Sequence, residues 1–235
     1  MKTKIICGAI VVIGLMCFSS PVRSLIGCRE TFSMDKATDP LPDGVVAVEY
    51  LESTGTQYIN LPFGFDPSDE IDMYAGLLVT GQDKYLVSPI RWNDNNNRFA
   101  LAGTSIDLSF GVGFGQQGTN NTLLYPKTKA DYTIHHWTYA NRIFKVTDLL
   151  LSCDVTSITF GKTTANLRLF FGYNANTKGR IRSYRHKKNG KDLINLVAVR
   201  YVQDGQDIGC MFDLVTKEMF YNSGTGSFLI GPDKE

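Results

Sequence analysis

The segment Glu70-Ile71-Asp72-Met73-Tyr74-Ala75-Gly76-Leu77-Leu78-Val79 decides the fold. Ile71, Met73, Ala75, Leu77 and Val79 recur at every second position, with Asp72 and Tyr74 between them. Successive side chains of an extended strand point to opposite faces, so this period buries one face and leaves the other polar. A surface helix would need apolar residues three and four apart, and that spacing is not sustained anywhere in the chain.

Short runs of strand character recur on both sides of this segment. Upstream they cover Val45 to Tyr50 and Gln57 to Leu61. Downstream they cover Tyr85 to Ile90, Arg98 to Ala102, Ile106 to Phe114, Asp131 to Trp137, Arg142 to Thr147 and Ser157 to Phe160. Leu167, Leu169, Phe171 and Tyr173 share one face of another run. Ile181 to Lys187, Leu193 to Tyr201, Ile208 to Phe212, Met219 to Tyr221 and Ser227 to Ile230 follow. Asn-, Gly- and Asp-rich turns separate the runs, at Asn93 to Asn97, Gly115 to Asn121 and Asn174 to Gly179. Asn189-Gly190 is a two-residue hairpin signal, because both residues tolerate positive φ. Leu149-Leu150-Leu151 is the one helix/strand ambiguity, and its neighbours favour a strand. Many short strands without helices between them imply antiparallel sheets, and two such sheets face to face give an all-β jelly-roll sandwich.

The 14 Phe and 11 Tyr suit strands and can fill a large core, and the 22 Gly suit many tight turns. The first residues read differently from the rest. Lys2 and Lys4 precede an uncharged apolar run from Ile5 to Phe18, which Ser19-Ser20-Pro21 breaks. That run is short for a membrane span, which needs about 20 apolar residues, and it reads as a signal peptide over residues 1–24. A linker over residues 25–43 follows, ending in Asp39-Pro40-Leu41-Pro42-Asp43, and the jelly-roll domain occupies residues 44–233. Leu25-Ile26-Gly27-Cys28 resembles a lipobox, so a lipid anchor at Cys28 is the second version of export. Arg23, between the apolar run and the cysteine, argues for simple secretion. Either version leaves no membrane span in the mature chain.

Removal of the signal peptide takes three of the 24 basic residues and no acid, leaving 21 basic against 23 acidic residues, net −2. Only Arg180 to Lys191 is a basic run, so nucleic acid is excluded as the main partner. That run reads as a solvated edge strand, where charge discourages edge-to-edge pairing. Cys28, Cys153 and Cys210 stay in the mature chain, and in an oxidising compartment they allow one disulfide in any of three pairings.

Two stretches at opposite ends of the domain carry a family resemblance. The first is Val48-Glu49-Tyr50-Leu51-Glu52-Ser53-Thr54-Gly55-Thr56-Gln57-Tyr58-Ile59. The second runs from Ile208 through Phe212-Asp213 and Phe220-Tyr221-Asn222-Ser223-Gly224-Thr225-Gly226-Ser227-Phe228 to Gly231-Pro232. Together they resemble a laminin-G-like jelly-roll module of the concanavalin A-like lectin/glucanase superfamily, as found in bacterial surface and phage-related proteins. One departure is Ala198, where related modules often carry proline. The resemblance implies a fold more than a function, since lectins, hydrolases and adhesion modules share it. The motifs themselves read as scaffold, with Ser53-Thr54-Gly55 and Gly224-Thr225-Gly226 as turns that meet if the first and last strands pair.

Residues with chemistry are few. Glycoside hydrolysis needs two carboxylates at a set separation. Glu70-Ile71-Asp72 begins the Glu-x-Asp-x-x-Glu pattern of the superfamily's hydrolases, but Ala75 stands where the third acid belongs. No Gly-x-Ser-x-Gly elbow occurs. His135 and His136 are strand neighbours on opposite faces, so they do not converge on one metal. Asn93-Asp94-Asn95-Asn96-Asn97 is the best oxygen-rich loop, with Asp94 the weak candidate ligand for Ca2+, the one cofactor the sequence suggests. Trp92 beside that loop, with Asp94, Asn95 and Asn97, forms the expected ligand patch, while Trp137 reads as core. The chain is therefore expected to be a secreted or surface-attached, non-catalytic binding module for a glycan or a surface protein. A structural or adhesive subunit is the first alternative, and a degenerate glycoside hydrolase is the second.

Overall fold

The structure is a computed structural model that describes the backbone of residues 41–78, 84–89, 99–104, 109–114, 121–124, 132–157, 161–163, 165–170 and 177–235. In chain order the strands are β1 Val45–Ala47, β2 Leu51–Thr54, β3 Ile59–Asn60, β4 Glu70–Leu77, β5 Lys84–Pro89, β6 Phe99–Thr104, β7 Ser109–Phe114 and β8 Asn121–Leu124. They continue as β9 His135–Ala140, β10 Ile143–Val146, β11 Leu151–Asp154, β12 Leu167–Leu169 and β13 Lys178–Lys188. The last four are β14 Lys191–Gln203, β15 Gln206–Asp213, β16 Met219–Phe220 and β17 Leu229–Ile230. The larger sheet runs β11-β10-β9-β4-β13-β14-β15-β16, with β1 on β14, β2 on β13 and β17 on β2. The smaller runs β3-β12-β5-β6-β7-β8. The registered pairings are antiparallel throughout.

Both sheets contribute to one core. Ile59, Val87, Leu167 and Leu169 of the smaller sheet join Ile71, Met73, Ala75, Leu77, Trp137, Tyr139, Phe144, Ile181 and Leu196 of the larger. Burying each large apolar side chain is worth about 1.5–3 kcal/mol, so this shared interior is what holds the two layers together. The alternation expected for β4 is observed over Ile71 to Leu77; Val79 lies outside the described residues. The core also accommodates polar tips: Trp137 Nε1 donates to the Ala75 carbonyl at 2.9 Å, and the Tyr139 hydroxyl to the Pro67 carbonyl at 3.0 Å. A second, smaller cluster of Val199, Cys210 and Phe212 is packed by Leu41, Val45, Leu214 and Met219.

The two family-like stretches are joined directly. Val48 pairs with Asp233, β17 pairs with β2, and the Glu49 amide donates to Pro232 at 2.8 Å. The Thr225 amide donates to Thr56 and the Ser223 amide to Tyr58. The Asn222 side chain accepts from the Tyr58 and Gly224 amides. Gly224 is required here because a Cβ would stand 2.0 Å from the Thr56 carbonyl oxygen.

β13 corrects the sequence reading. It lies inside the larger sheet between β4 and β14, not at a solvated edge. Its register against β4 shifts between Ile181 and Ser183: Ile181 faces Ala75 and Ser183 faces Tyr74, leaving Arg182 as the extra residue of a β-bulge. Strict alternation would put Arg180, Arg182, Tyr184 and His186 on one face. The bulge breaks that phase, so the arginines stay half-exposed while Tyr184 and His186 are sealed inside.

Other boundaries moved as well. β2 includes Ser53 and Thr54, expected as a turn, because Gly179 and Lys178 of β13 supply strand partners there. β8 was not anticipated at all. Thr147–Leu149 is a 3-10 turn, after which Leu150 takes φ 56° and strand begins only at Leu151. Asn189 and Gly190, at φ 52° and 74°, make the expected hairpin turn. Cys153 and Cys210 sit as thiols in separate clusters, so they do not pair with each other. Cys28 lies outside the described residues.

Candidate functional site

Neighbouring strands β9, β4, β13 and β2 present a polar face opposite the core. At about 4.8 Å per strand it spans roughly 15 Å. Its centre is Arg180, whose guanidinium carbon lies 4.3 Å from the Tyr50 ring centroid and 4.9 Å from that of Tyr132. Arg180 Nε also donates to Glu52 Oε2 at 2.7 Å. Stacking between rings and pairing with a carboxylate fix a planar group that would otherwise be mobile. Tyr132 reaches this position at φ 70°, with its carbonyl pressed against Gly76, where a Cβ would come within 2.4 Å.

Around this centre two further arginines are also paired. Arg182 donates to the Glu49 carboxylate and to the Glu49 carbonyl. Arg185 grips Asp192 with two bonds of 2.7 and 2.9 Å. Hydrogen bonding to Arg185 holds the Asp192 carboxyl below its usual range, and hydrogen bonding to Asp192 raises Arg185. The His136 ring stacks on Tyr74 with centroids 4.4 Å apart and planes 2° from parallel. His136 Nε2 lies 3.2 Å from Asp72 Oδ2. Burial first, then the charge of Asp72, pushes the Tyr74 phenol up.

His135 and His136 do face opposite sides of the sheet, as expected, yet both meet Asp148. His135 Nδ1 lies 2.6 Å from its Oδ2, and the His136 amide donates to its Oδ1 at 3.0 Å. Among the described residues no group of three or more His, Cys, Asp or Glu is placed to hold a metal ion.

A second polar constellation lies inside the core. His186 Nε2 is 2.8 Å from Asp69 Oδ2, and the Tyr184 hydroxyl is 2.9 Å from His186 Nδ1. The Tyr184 hydrogen needs an acceptor, so it goes to Nδ1 and leaves the ring proton on Nε2, aimed at the carboxylate. Phe63 packs edge-on against the imidazole at 4.7 Å. The order carboxylate–imidazole–hydroxyl matches a proton relay, but all three side chains are sealed from solvent, so no substrate reaches them. It is a structural network, and Asp69 also accepts from the Asp66 amide to close the turn before β4.

The expected patch of Trp92, Asp94, Asn95 and Asn97 lies outside the described residues. Asp72 does lie on the polar face. Ala75, by contrast, points into the core, so even an acid at that position would not join Glu70 and Asp72 on this strand. Tyr50, Glu49, Glu52, Arg180, Arg182 and Tyr132 were missed as a group, because only the pairing of β13 with β2 and with β4 brings them together.

Among the described residues no helix is long and apolar enough to cross a membrane. The chain matches no protein-family model and no curated protein. What stands is an all-β protein with large antiparallel sheets and a sandwich-like core.

Proposed function

We propose that this chain is an exported, non-catalytic binding module of the jelly-roll type that recognises a glycan through the polar face of its larger sheet. The observation that carries this is the clamped Arg180, held between Tyr50 and Tyr132 and paired with Glu52. Sugar recognition asks for rigid planar donors and acceptors beside aromatic rings, and these residues supply both. The joining of residues 48–59 to 220–233 and the long crossovers between sheets support the laminin-G-like jelly-roll reading. The basic start and apolar run over residues 2–18 support export.

Binding is favoured over hydrolysis because the carboxylates of Glu49, Glu52, Asp72, Asp148 and Asp192 are each engaged by an arginine or a histidine. A glycosidase needs a pair of carboxyl groups free to meet the scissile bond, and these carboxylates already hold protein partners. The test is a polysaccharide panel scored for both retention and reducing-end release. Retention without release, weakened in Arg180→Ala, is expected. Release of reducing ends would make the chain an enzyme. Absence of retention by folded protein would leave the structural or adhesive role.

A further inference from the structure

We infer that the ligand of this face is an uncharged, hydroxyl-rich glycan chain and not a sulfated or uronic-acid polymer; this rests on the glycan-binding reading above. Five cations face outward on these strands: Lys178, Arg180, Arg182, Arg185 and Lys187. With Lys145 of the adjoining β10 they stand among six carboxylates, those of Glu49, Glu52, Glu70, Asp72, Asp148 and Asp192, so the face carries no positive excess before any ligand arrives. Arg180 and Arg185 are held at 2.7 Å by Glu52 and Asp192, and Arg182 is paired with Glu49. Lys187 lies directly opposite Glu70 in the register of β13 and β4. A sulfate or carboxylate would have to displace one of these internal partners and approach the neighbouring acids, which costs more than its own pairing returns.

A hydroxyl group meets no such obstacle. Arg180 commits Nε to Glu52 and directs its two terminal nitrogens elsewhere, while Glu52 Oε1 keeps its acceptor capacity. A neighbouring pair of sugar hydroxyls can accept from the guanidinium and donate to the carboxylate without breaking the ion pair. The two stacked groups, Tyr50–Arg180–Tyr132 and Tyr74–His136, come from different strands of the face.

The probes are matched polymers that differ only in charge: a neutral β-glucan and its sulfated and carboxymethylated forms, with binding measured at low and at high salt. The expected result is binding of the neutral polymer that changes less than about twofold with salt, and no gain on sulfation. Arg180→Gln should weaken it about tenfold, the value of one hydrogen bond of roughly 1.4 kcal/mol, and Arg180→Lys should fail to restore it, because a point charge cannot replace the planar fork. His136→Gln, on a separate strand, provides a second variant if the first fails to fold. Binding of the sulfated polymer that collapses with salt overturns the neutral-ligand inference while leaving the glycan-binding reading intact. Failure of every polymer to bind folded protein, with retention of a protein partner instead, overturns both.

Discussion

His186 and Asp69 are 117 residues apart in the chain and 2.8 Å apart in the core, and neither side chain is more than 1% exposed. Buried polar groups of this kind are tolerated when their partners are in place and are costly when one is removed. Asp69→Ala leaves the imidazole hydrogen and the Asp66 amide without their acceptor. A loss of about 3–5 kcal/mol is expected. Replacing both partners by leucine should cost less than the single change. Urea unfolding of the two variants decides this, and equal losses would mean that the pair contributes no coupling.

Asp213 is a second buried anchor. Its carboxylate accepts from the amides of Asn195, Val215 and Thr216 and from the Thr216 hydroxyl. Asp213→Ala removes every one of these bonds and should destabilise by about 3 kcal/mol, within the range for strong bonds to a charged group. Asp213→Asn should recover part of that. A thermal melt of each variant measures the difference.

The joint between residues 48–59 and 220–233 predicts a steric effect. Gly224→Ala drives a Cβ toward the Thr56 carbonyl oxygen, which is backbone and cannot swing aside. A loss of about 1–3 kcal/mol is expected from such overpacking. Gly190→Ala, whose Cβ would meet nothing within 4 Å, should lose less despite its positive φ. Ranking the two by denaturant midpoint tests the assignment.

Alkaline pH should loosen the protein. Burial pushes the Cys210 thiol and the Tyr139 phenol up to about 12, and the Tyr184 phenol well above its ordinary value. Between the unfolded values, 9.0 for the thiol and 10.0 for the phenols, and these raised ones, the folded state holds more protons than the unfolded. Stability is therefore fully present below about pH 9 and is lost as pH rises toward 12. Unfolding midpoints should be flat from pH 7 to 9 and fall beyond. The same burial should make native Cys210 react with a thiol reagent only at the rate of unfolding, and rapid labelling of folded protein would contradict its placement.

Deleting Arg182 tests the bulge. Without the extra residue the strand must keep either its outward arginines or its inward Tyr184 and His186, since a one-residue slip exchanges the faces. Loss of the cooperative unfolding transition is expected, whereas Arg182→Ala, which keeps the residue count, should fold. If the deletion variant also folds cooperatively, the bulge does not set the phase.

Much of the strand pattern was legible because period-two alternation is local: Ile71 to Leu77 and the Asn189-Gly190 turn follow from neighbours alone. The phase break at Arg182 was not legible, since nothing in Arg180-Ile181-Arg182-Ser183-Tyr184 says that one residue lacks a partner. That break is what hid His186, which read as part of a charged outer strand. The polar face failed for a different reason. Its members come from several strands and from the segments before β2 and before β9, and only register brings Tyr50, Tyr132 and Arg180 within stacking distance. The Trp92 loop, by contrast, was picked out because all its residues are adjacent.

The pairing of β2 with β17, and of Val48 with Asp233, has a consequence for synthesis. A ribosome delivers Leu51 some 180 residues before the strand that covers it, so β2 and the Tyr58 loop wait with open edges until residues 222–233 emerge. A chain cut short before Asn222 would keep most of its core residues yet never close that seam. The fold thus makes residues 222–233 a condition of stability, and a product terminated before them presents unpaired strand edges to the proteases that clear such chains.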